Sequence, residues 1–241
     1  MFMAFAWGLG AAGSLVVGAL LASYLKITRR LLGLIMAFGV GVLISAVSFE
    51  LAEEAFSTSH RGWPVAAGLA AGALVFFMGD VVIDKIGGRS HRKEGGKAGS
   101  APAILLGTIL DGIPESIVIG LALVRGGSVS VAMVVAVFLS NLPEAIGATS
   151  GLVRSGWNKA RIIGLWLAVA VASGLAAWVG FAFFDSATTA TLAFTLSFAA
   201  GALLTMLAGS MMPEAFRDSG KLVGLVTTLG FGLALLISMV S

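Results

Sequence analysis

Eight long apolar segments, separated by short polar or charged stretches, run along the chain. Their approximate bounds are residues 3–24, 32–55, 63–84, 102–124, 129–152, 161–183, 190–213 and 221–240. A helix of about 20 apolar residues spans the roughly 30 Å hydrocarbon core of a bilayer. The pattern therefore predicts an all-α polytopic membrane protein with eight transmembrane helices, in one domain over residues 1–241.

Composition excludes several kinds of chemistry. Of the 241 residues, 58% are hydrophobic and 11% are charged, whereas a soluble domain has about 25% charged residues. The chain has no cysteine, which excludes disulfides, thiolate metal sites and cysteine nucleophiles. Its two histidines, His60 and His91, fall outside the predicted helices. We therefore expect no imidazole ligand within the membrane.

Lysine and arginine occur almost entirely in alternate loops. Two of the 15, Arg61 and Arg125, lie on one side, and the other 13 lie on the opposite side: Lys26, Arg29, Arg30, Lys85, Arg89, Arg92, Lys93, Lys97, Arg154, Lys159, Arg161, Arg217 and Lys221. Short loops rich in Lys and Arg stay in the cytoplasm. Both termini are therefore expected outside the cell membrane and the short basic loop 85–101 inside. Because the membrane orientation already explains where the basic residues lie, no nucleic-acid partner is predicted.

Two related phrases lie inside consecutive predicted helices. Residues 110–115 read LDGIPE, and residues 139–144, 29 positions later, read LSNLPE. Helical spacing places the first and last polar residues of each phrase on one face, because they are four residues apart. Two oxygen-rich faces are therefore expected to meet. The side chains concerned are Asp111, Glu115, Ser140, Asn141 and Glu144.

The three carboxylates of these phrases are costly inside a bilayer. An Asp at the centre of a membrane helix costs about 2.5 to 3.5 kcal/mol, so with Glu taken as similar the three cost roughly 8 to 10. Pro114 and Pro143 also free the carbonyls of Leu110 and Leu139 from helical hydrogen bonds. A bound cation is the simplest compensation. Hydrogen bonding between helices is the structural alternative, and Ser140 could instead bond its own helix backbone.

A second internal repeat indicates an inverted architecture. Residues 38–56 align without gaps with residues 198–216, at an offset of 160, and six of the nineteen positions are identical. In the predicted topology, helices two and seven cross the membrane in opposite directions, as do helices four and five. Such repeats are typical of transporters whose site lies near the midplane. Shared membrane-helix composition is the alternative explanation.

At these residues the chain resembles the ZIP (Zrt/Irt-like protein) family of divalent metal transporters, short prokaryotic type, over nearly its whole length. The family's fourth and fifth helices carry His-Asn-x-Pro-Glu-Gly and x-Asp/Asn-x-Pro-Glu phrases, matched by residues 111–116 (DGIPES) and 140–145 (SNLPEA). Residues 50–55 (ELAEEA) and 212–214 (MPE) are similar to the family's endings of helices two and seven. The loop 85–101 matches its cytoplasmic loop.

The resemblance implies eight helices in a 3+2+3 inverted repeat, with helices four and five lining the metal path. It also implies one or two metal ions shared between the two glutamates. Carried over by position, the metal-binding set consists of Asp111 and Ser140 at histidine-type positions, Asn141 at the Asp/Asn position, and the glutamates Glu115 and Glu144.

The sequence departs from the family pattern in ways that bear on the metal. Gly112 replaces the usual Asn, and predicted helix six has no acidic residue like the one that some relatives use. Because neither histidine lies in a predicted helix, the candidate ligands are all oxygens, which favour harder ions such as Mn²⁺ or Fe²⁺ alongside Zn²⁺. Glu50 is either part of an outer path or a helix-end residue, and Asp80 is a candidate for an exit route.

The expected function is transport of zinc-, iron- or manganese-class divalent cations toward the cytoplasm by alternating access. The metal is then the substrate, no resident cofactor is expected, and the partners are divalent ions and the lipid bilayer; a homodimer remains open. The alternative is an intramembrane hydrolase that uses a metal or a carboxylate pair. We expect no enzyme, because the chain has no His-Glu-x-x-His motif, no cysteine and no histidine in a predicted helix. A non-transporting scaffold leaves the carboxylates unexplained.

Overall fold

A computed structural model describes residues 2–59, 62–85, 112, 115–116, 118–124 and 131–240. Regular structure within these ranges is entirely helical. Several predictions fall outside the described residues: most of the first half of the fourth helix with Asp111, the loop from residue 86 to 101, and the positions of His60, Arg61 and Arg125.

The described residues form eight helical segments, which we number α1 to α8. Helix α4 is described only in part, at helical residues 112, 115–116 and 118–122. Each of the other seven contains a stretch long and apolar enough to cross a membrane, so the chain is a multi-pass membrane protein. Their bounds are α1 Phe2–Tyr24, α2 Arg29–Ser59, α3 Gly62–Lys85, α5 Val131–Arg154, α6 Lys159–Phe184, α7 Thr189–Ser219 and α8 Leu222–Val240.

Side-chain caps and one glycine set several helix ends. Thr28, Asn158 and Thr188 precede α2, α6 and α7, and each side-chain oxygen accepts a hydrogen bond from the backbone N–H three residues later. Such caps satisfy N–H groups that have no partner within the helix. Helix α7 ends at Gly220, whose φ of 64° suits glycine. Residues next to these helix ends in the sequence therefore determine where the helices begin and end.

Helices α2 and α7 are longer than predicted, and both contain a π-helical turn. They extend to Ser59 and Ser219 instead of residues 55 and 213. The turns span Val47–Ala52 and Leu207–Met211. Pro213 follows the second turn at the start of an α-helical stretch, where its missing N–H is tolerated. The polar stretches after the two turns, Glu53–Ser59 and Met212–Ser219, are therefore helical and belong to α2 and α7.

The two π turns begin 160 residues apart, at the offset of the sequence repeat. Helix α2 packs on α8, and α7 packs on α3. In both pairs a glycine of each helix lies against a backbone carbonyl of the other, as it does at Gly41 with Thr227, Gly230 with Phe38, Gly201 with Leu69, and Gly72 with Phe198. The same close contact thus occurs in both pairs, and Gly41 and Gly201 stand at the repeat offset of 160.

Helix α5 lies between α1 and α2. Gly18 of α1 lies against Leu142 and Ala145 of α5, and Gly39 of α2 lies against the Leu139 carbonyl. On a further side, the buried Trp166 of α6 donates through Nε1 to Thr149 Oγ1 of α5 at 2.8 Å. Neighbouring helices therefore fix α5 on both sides of Pro143.

Candidate metal site

The site is built on the part of α5 that precedes Pro143. This proline lies inside Val131–Arg154 and provides no N–H for the Leu139 carbonyl. Ser140 and Asn141 follow that carbonyl, and they are only 0% and 4% exposed. The second phrase thus places two polar side chains in the interior of the helix bundle.

Glu115 of α4 meets both of these side chains. Glu115 as a whole residue is 3% exposed. Ser140 Oγ donates to Glu115 Oε1 at 2.8 Å, and Asn141 Nδ2 donates to Glu115 Oε2 at 2.8 Å. Both donors are neutral, so these bonds orient an ionised Glu115 without cancelling its charge. The fold therefore joins the two phrases through Glu115.

The Ser140 hydroxyl faces two acceptors. Besides Glu115, its Oγ lies 3.0 Å from the carbonyl oxygen of Val137 on its own helix. A hydroxyl has one proton and two lone pairs. Its one proton therefore goes either to Val137 or to an ionised Glu115, and the hydroxyl oxygen can accept from Glu115 only where that carboxyl is protonated. Two roles were predicted for Ser140: bonding to its own helix backbone and contact with the other phrase. Both acceptors lie within hydrogen-bond distance of its Oγ in this structure.

The remaining predicted ligands are less closely defined. Glu144 lies on α5 one turn after Asn141 and is partly buried. Asp111 lies outside the described residues. Within the described ranges no group of three or more His, Cys, Asp or Glu side chains is placed to hold a metal ion. The described part of the candidate site is therefore a mixed set of carboxylate, amide and hydroxyl oxygens.

A cavity adjoins Glu115 on the side of α1 and α6. Its lining includes Gly112, Glu115, Ser116, Asn141 and Ser173. Ser116 is buried and Ser173, on α6, is partly buried. Sequence reasoning did not select these two serines. Ser116 directly follows the first phrase, whereas Ser173 has no polar neighbour along α6 that would have marked it.

Glu50 does not lie at the end of its helix, which was one of the two positions predicted for it. It lies inside the first π turn, nine residues before the end of α2. Ser238 of α8 donates to Glu50 Oε1 at 2.9 Å. Asp80, on α3, is partly buried. Because α2 continues beyond residue 55, Glu50 does not lie at a helix end. Its hydrogen bond with Ser238 links α2 to α8.

Comparison with known proteins gives one weak relationship. No protein-family model matches the chain. It is 24% identical over 207 residues to an Arabidopsis thaliana protein named "putative zinc transporter", a match that covers 84% of this chain and 33% of that relative. The chain therefore spans about a third of the relative's length. The match is consistent with the resemblance to the ZIP family.

Proposed function

We propose that this chain transports divalent metal cations of the zinc, iron or manganese class across the membrane toward the cytoplasm. The observation that carries the proposal is the buried Glu115 carboxylate, bonded to Ser140 and Asn141 of a second helix. Ionisable groups in membrane interiors are expensive, and they commonly mark substrate or ion pathways. The name of the Arabidopsis relative supports metal as the substrate.

The proposed ligands are those that the two phrases predicted. Glu115, Asn141 and Ser140 supply oxygens at the α4–α5 contact, Glu144 adds a carboxylate one turn along α5, and Asp111 stands four residues before Glu115. Oxygen ligands favour harder ions, whereas the Irving–Williams order still favours Zn²⁺ over Mn²⁺. Transport of Mn²⁺ or Fe²⁺ beside Zn²⁺ is therefore the expectation. Mg²⁺ is less suited, because it dehydrates reluctantly.

Alternating access between the halves of a 3+2+3 inverted repeat is the proposed mechanism. The matching π turns and the matching glycine contacts of α2–α8 and α7–α3 support it. The direction rests on the charge pattern. Nζ of Lys159, at the start of α6, lies 4.0 Å from the ring centre of Tyr24, at the end of α1. The basic loop after α1 and the basic loop before α6 therefore share one side of the membrane. By the positive-inside rule that side is the cytoplasm.

The alternative hydrolase is less well supported. It needs a nucleophile or an activated water beside an acid–base group. The described neighbours of Glu115 on α5 are a hydroxyl and an amide that orient it, which suits ligand positioning better than proton transfer. The relative's name also does not favour an enzyme.

Uptake into proteoliposomes tests the proposal. The parent protein should give saturable Mn²⁺ and Zn²⁺ uptake, and Glu115→Gln and Glu144→Gln should each lower it by at least about tenfold, because each removes a charged ligand. Glu53→Gln is the matched control, since Glu53 is an exposed carboxylate of α2. Uptake that does not saturate, or that Glu115→Gln leaves unchanged, would contradict the proposal.

A further inference from the structure

The contact between α2 and α5 beside the candidate site carries a further inference. Pro143 leaves the Leu139 carbonyl without its helical partner, and this carbonyl lies against Gly39 of α2. A Cβ placed on Gly39 would stand 2.9 Å from the Leu139 oxygen and 3.5 Å from the Cα of Ser140. A side chain at residue 39 would therefore push α2 away from the backbone that carries Ser140.

We propose that Gly39 is a positioning residue for cation transport. Because Gly39 has no side chain, α2 can pack directly on the Leu139 carbonyl, which Pro143 leaves without a helical partner. This contact fixes the distance between α2 and the part of α5 that carries Ser140 and Asn141. The proposed ligands belong to α4 and α5, so cation affinity depends on those two helices. If α2 and α5 move apart during the proposed alternating access, the rate of transport depends instead on this contact. The inference rests on the proposed function.

Another tight glycine on the same helix offers a matched control. A Cβ on Gly33 would meet Ser219 Oγ at 2.5 Å, the Asp218 side chain at 3.0 Å and the Ala215 carbonyl at 3.2 Å, all on α7. The nearest of these atoms is the end of a side chain, the Ser219 hydroxyl that donates to the Arg30 carbonyl at 2.8 Å, whereas the nearest atom to Gly39 belongs to the backbone. Gly33 and Gly39 therefore share a helix and a crowded setting, but only Gly39 faces a carbonyl that a proline has released.

The first experiment separates rate from affinity. Mn²⁺ uptake into proteoliposomes is measured for the parent, Gly39→Ala and Gly33→Ala. We expect Gly39→Ala to lower the maximal rate about tenfold and to keep the half-saturating concentration within about twofold of the parent's, with Gly33→Ala within about twofold in both. Equal rates for the two variants, or a change confined to the half-saturating concentration, would overturn the role of Gly39. A parent without uptake would instead contradict the proposed function.

The second experiment uses Pro143→Ala, which restores an N–H for the Leu139 carbonyl and draws it back into α5. Gly39→Ala should then lower the melting temperature of the purified protein less in the Pro143→Ala background than in the parent, because contacting residues are not additive. Equal decreases would overturn the proposal. If Gly39→Ala alone does not fold, a folded double variant supports the proposal and an unfolded one overturns it.

Discussion

At the scale of single residues, the site depends on how two neutral side chains hold one carboxylate. Asn141 gives Glu115 a hydrogen bond through Nδ2, lines the cavity, and keeps a second polar atom, its amide oxygen. Ser140 has one proton for two acceptors, Glu115 and Val137. Asn141 is therefore expected to contribute more to cation binding than Ser140.

Alanine substitutions test this ranking. A hydrogen bond to a charged group is worth about 1.5–3 kcal/mol, so Asn141→Ala should raise the half-saturating Mn²⁺ concentration for uptake by about tenfold or more. Ser140→Ala should raise it only about two- to threefold, because Asn141 still orients Glu115. The comparison requires only dose–response curves in proteoliposomes. A larger effect of Ser140→Ala than of Asn141→Ala would contradict the ranking.

The contact between the two phrases was predictable from the sequence, whereas its surroundings were not. Fixed helical spacing and the cost of a buried carboxylate single out Glu115, Ser140 and Asn141 in the sequence alone. The contact of the Leu139 carbonyl with Gly39 depends on which helix packs against α5. Ser173 reaches the cavity for the same reason. Tertiary packing decides both, and no local pattern records it.

At the scale of helices, hydrophobic length predicted the seven crossings found in the described part of the chain but missed the π turns. An apolar run shows that a helix crosses the bilayer, whereas a π turn changes hydrogen-bond partners without changing hydrophobicity. Helices α2 and α7 therefore run past their predicted ends, and Glu50 lies within a helix. Caps such as Asn158 fix the helix starts through short-range hydrogen bonds.

Helix α6 offers a direct test of orientation, because exposed serines flank its two ends. Ser155 precedes it in a basic loop, and Ser186 follows it. The chain has no native cysteine, so Ser155→Cys and Ser186→Cys each give one thiol. In intact cells an impermeant maleimide should label Ser186→Cys at once and Ser155→Cys only after permeabilisation. The reverse pattern, or labelling of both from outside, would contradict the orientation.

At the scale of the whole molecule, two pairs of helices repeat the same contacts, and one of them, α2–α8, packs against α5. The α2–α8 and α7–α3 pairs share close glycine contacts and a π turn at the repeat offset. Helix α5 lies against both α1 and α2 and holds the residues that bind Glu115. The metal path proposed above would explain why polar residues are buried at the α4–α5 contact in such an apolar chain.

Equilibrium binding of Mn²⁺ to the purified protein tests the central claim most directly. The electron paramagnetic resonance signal of free Mn²⁺ reports how much ion the protein has bound. The parent should bind Mn²⁺ saturably, Glu53→Gln should match it, and Glu115→Gln should bind at least about tenfold more weakly, because it loses the charged ligand at the α4–α5 contact. Binding by Glu115→Gln equal to that of the parent would show that the transported cation does not bind at this carboxylate.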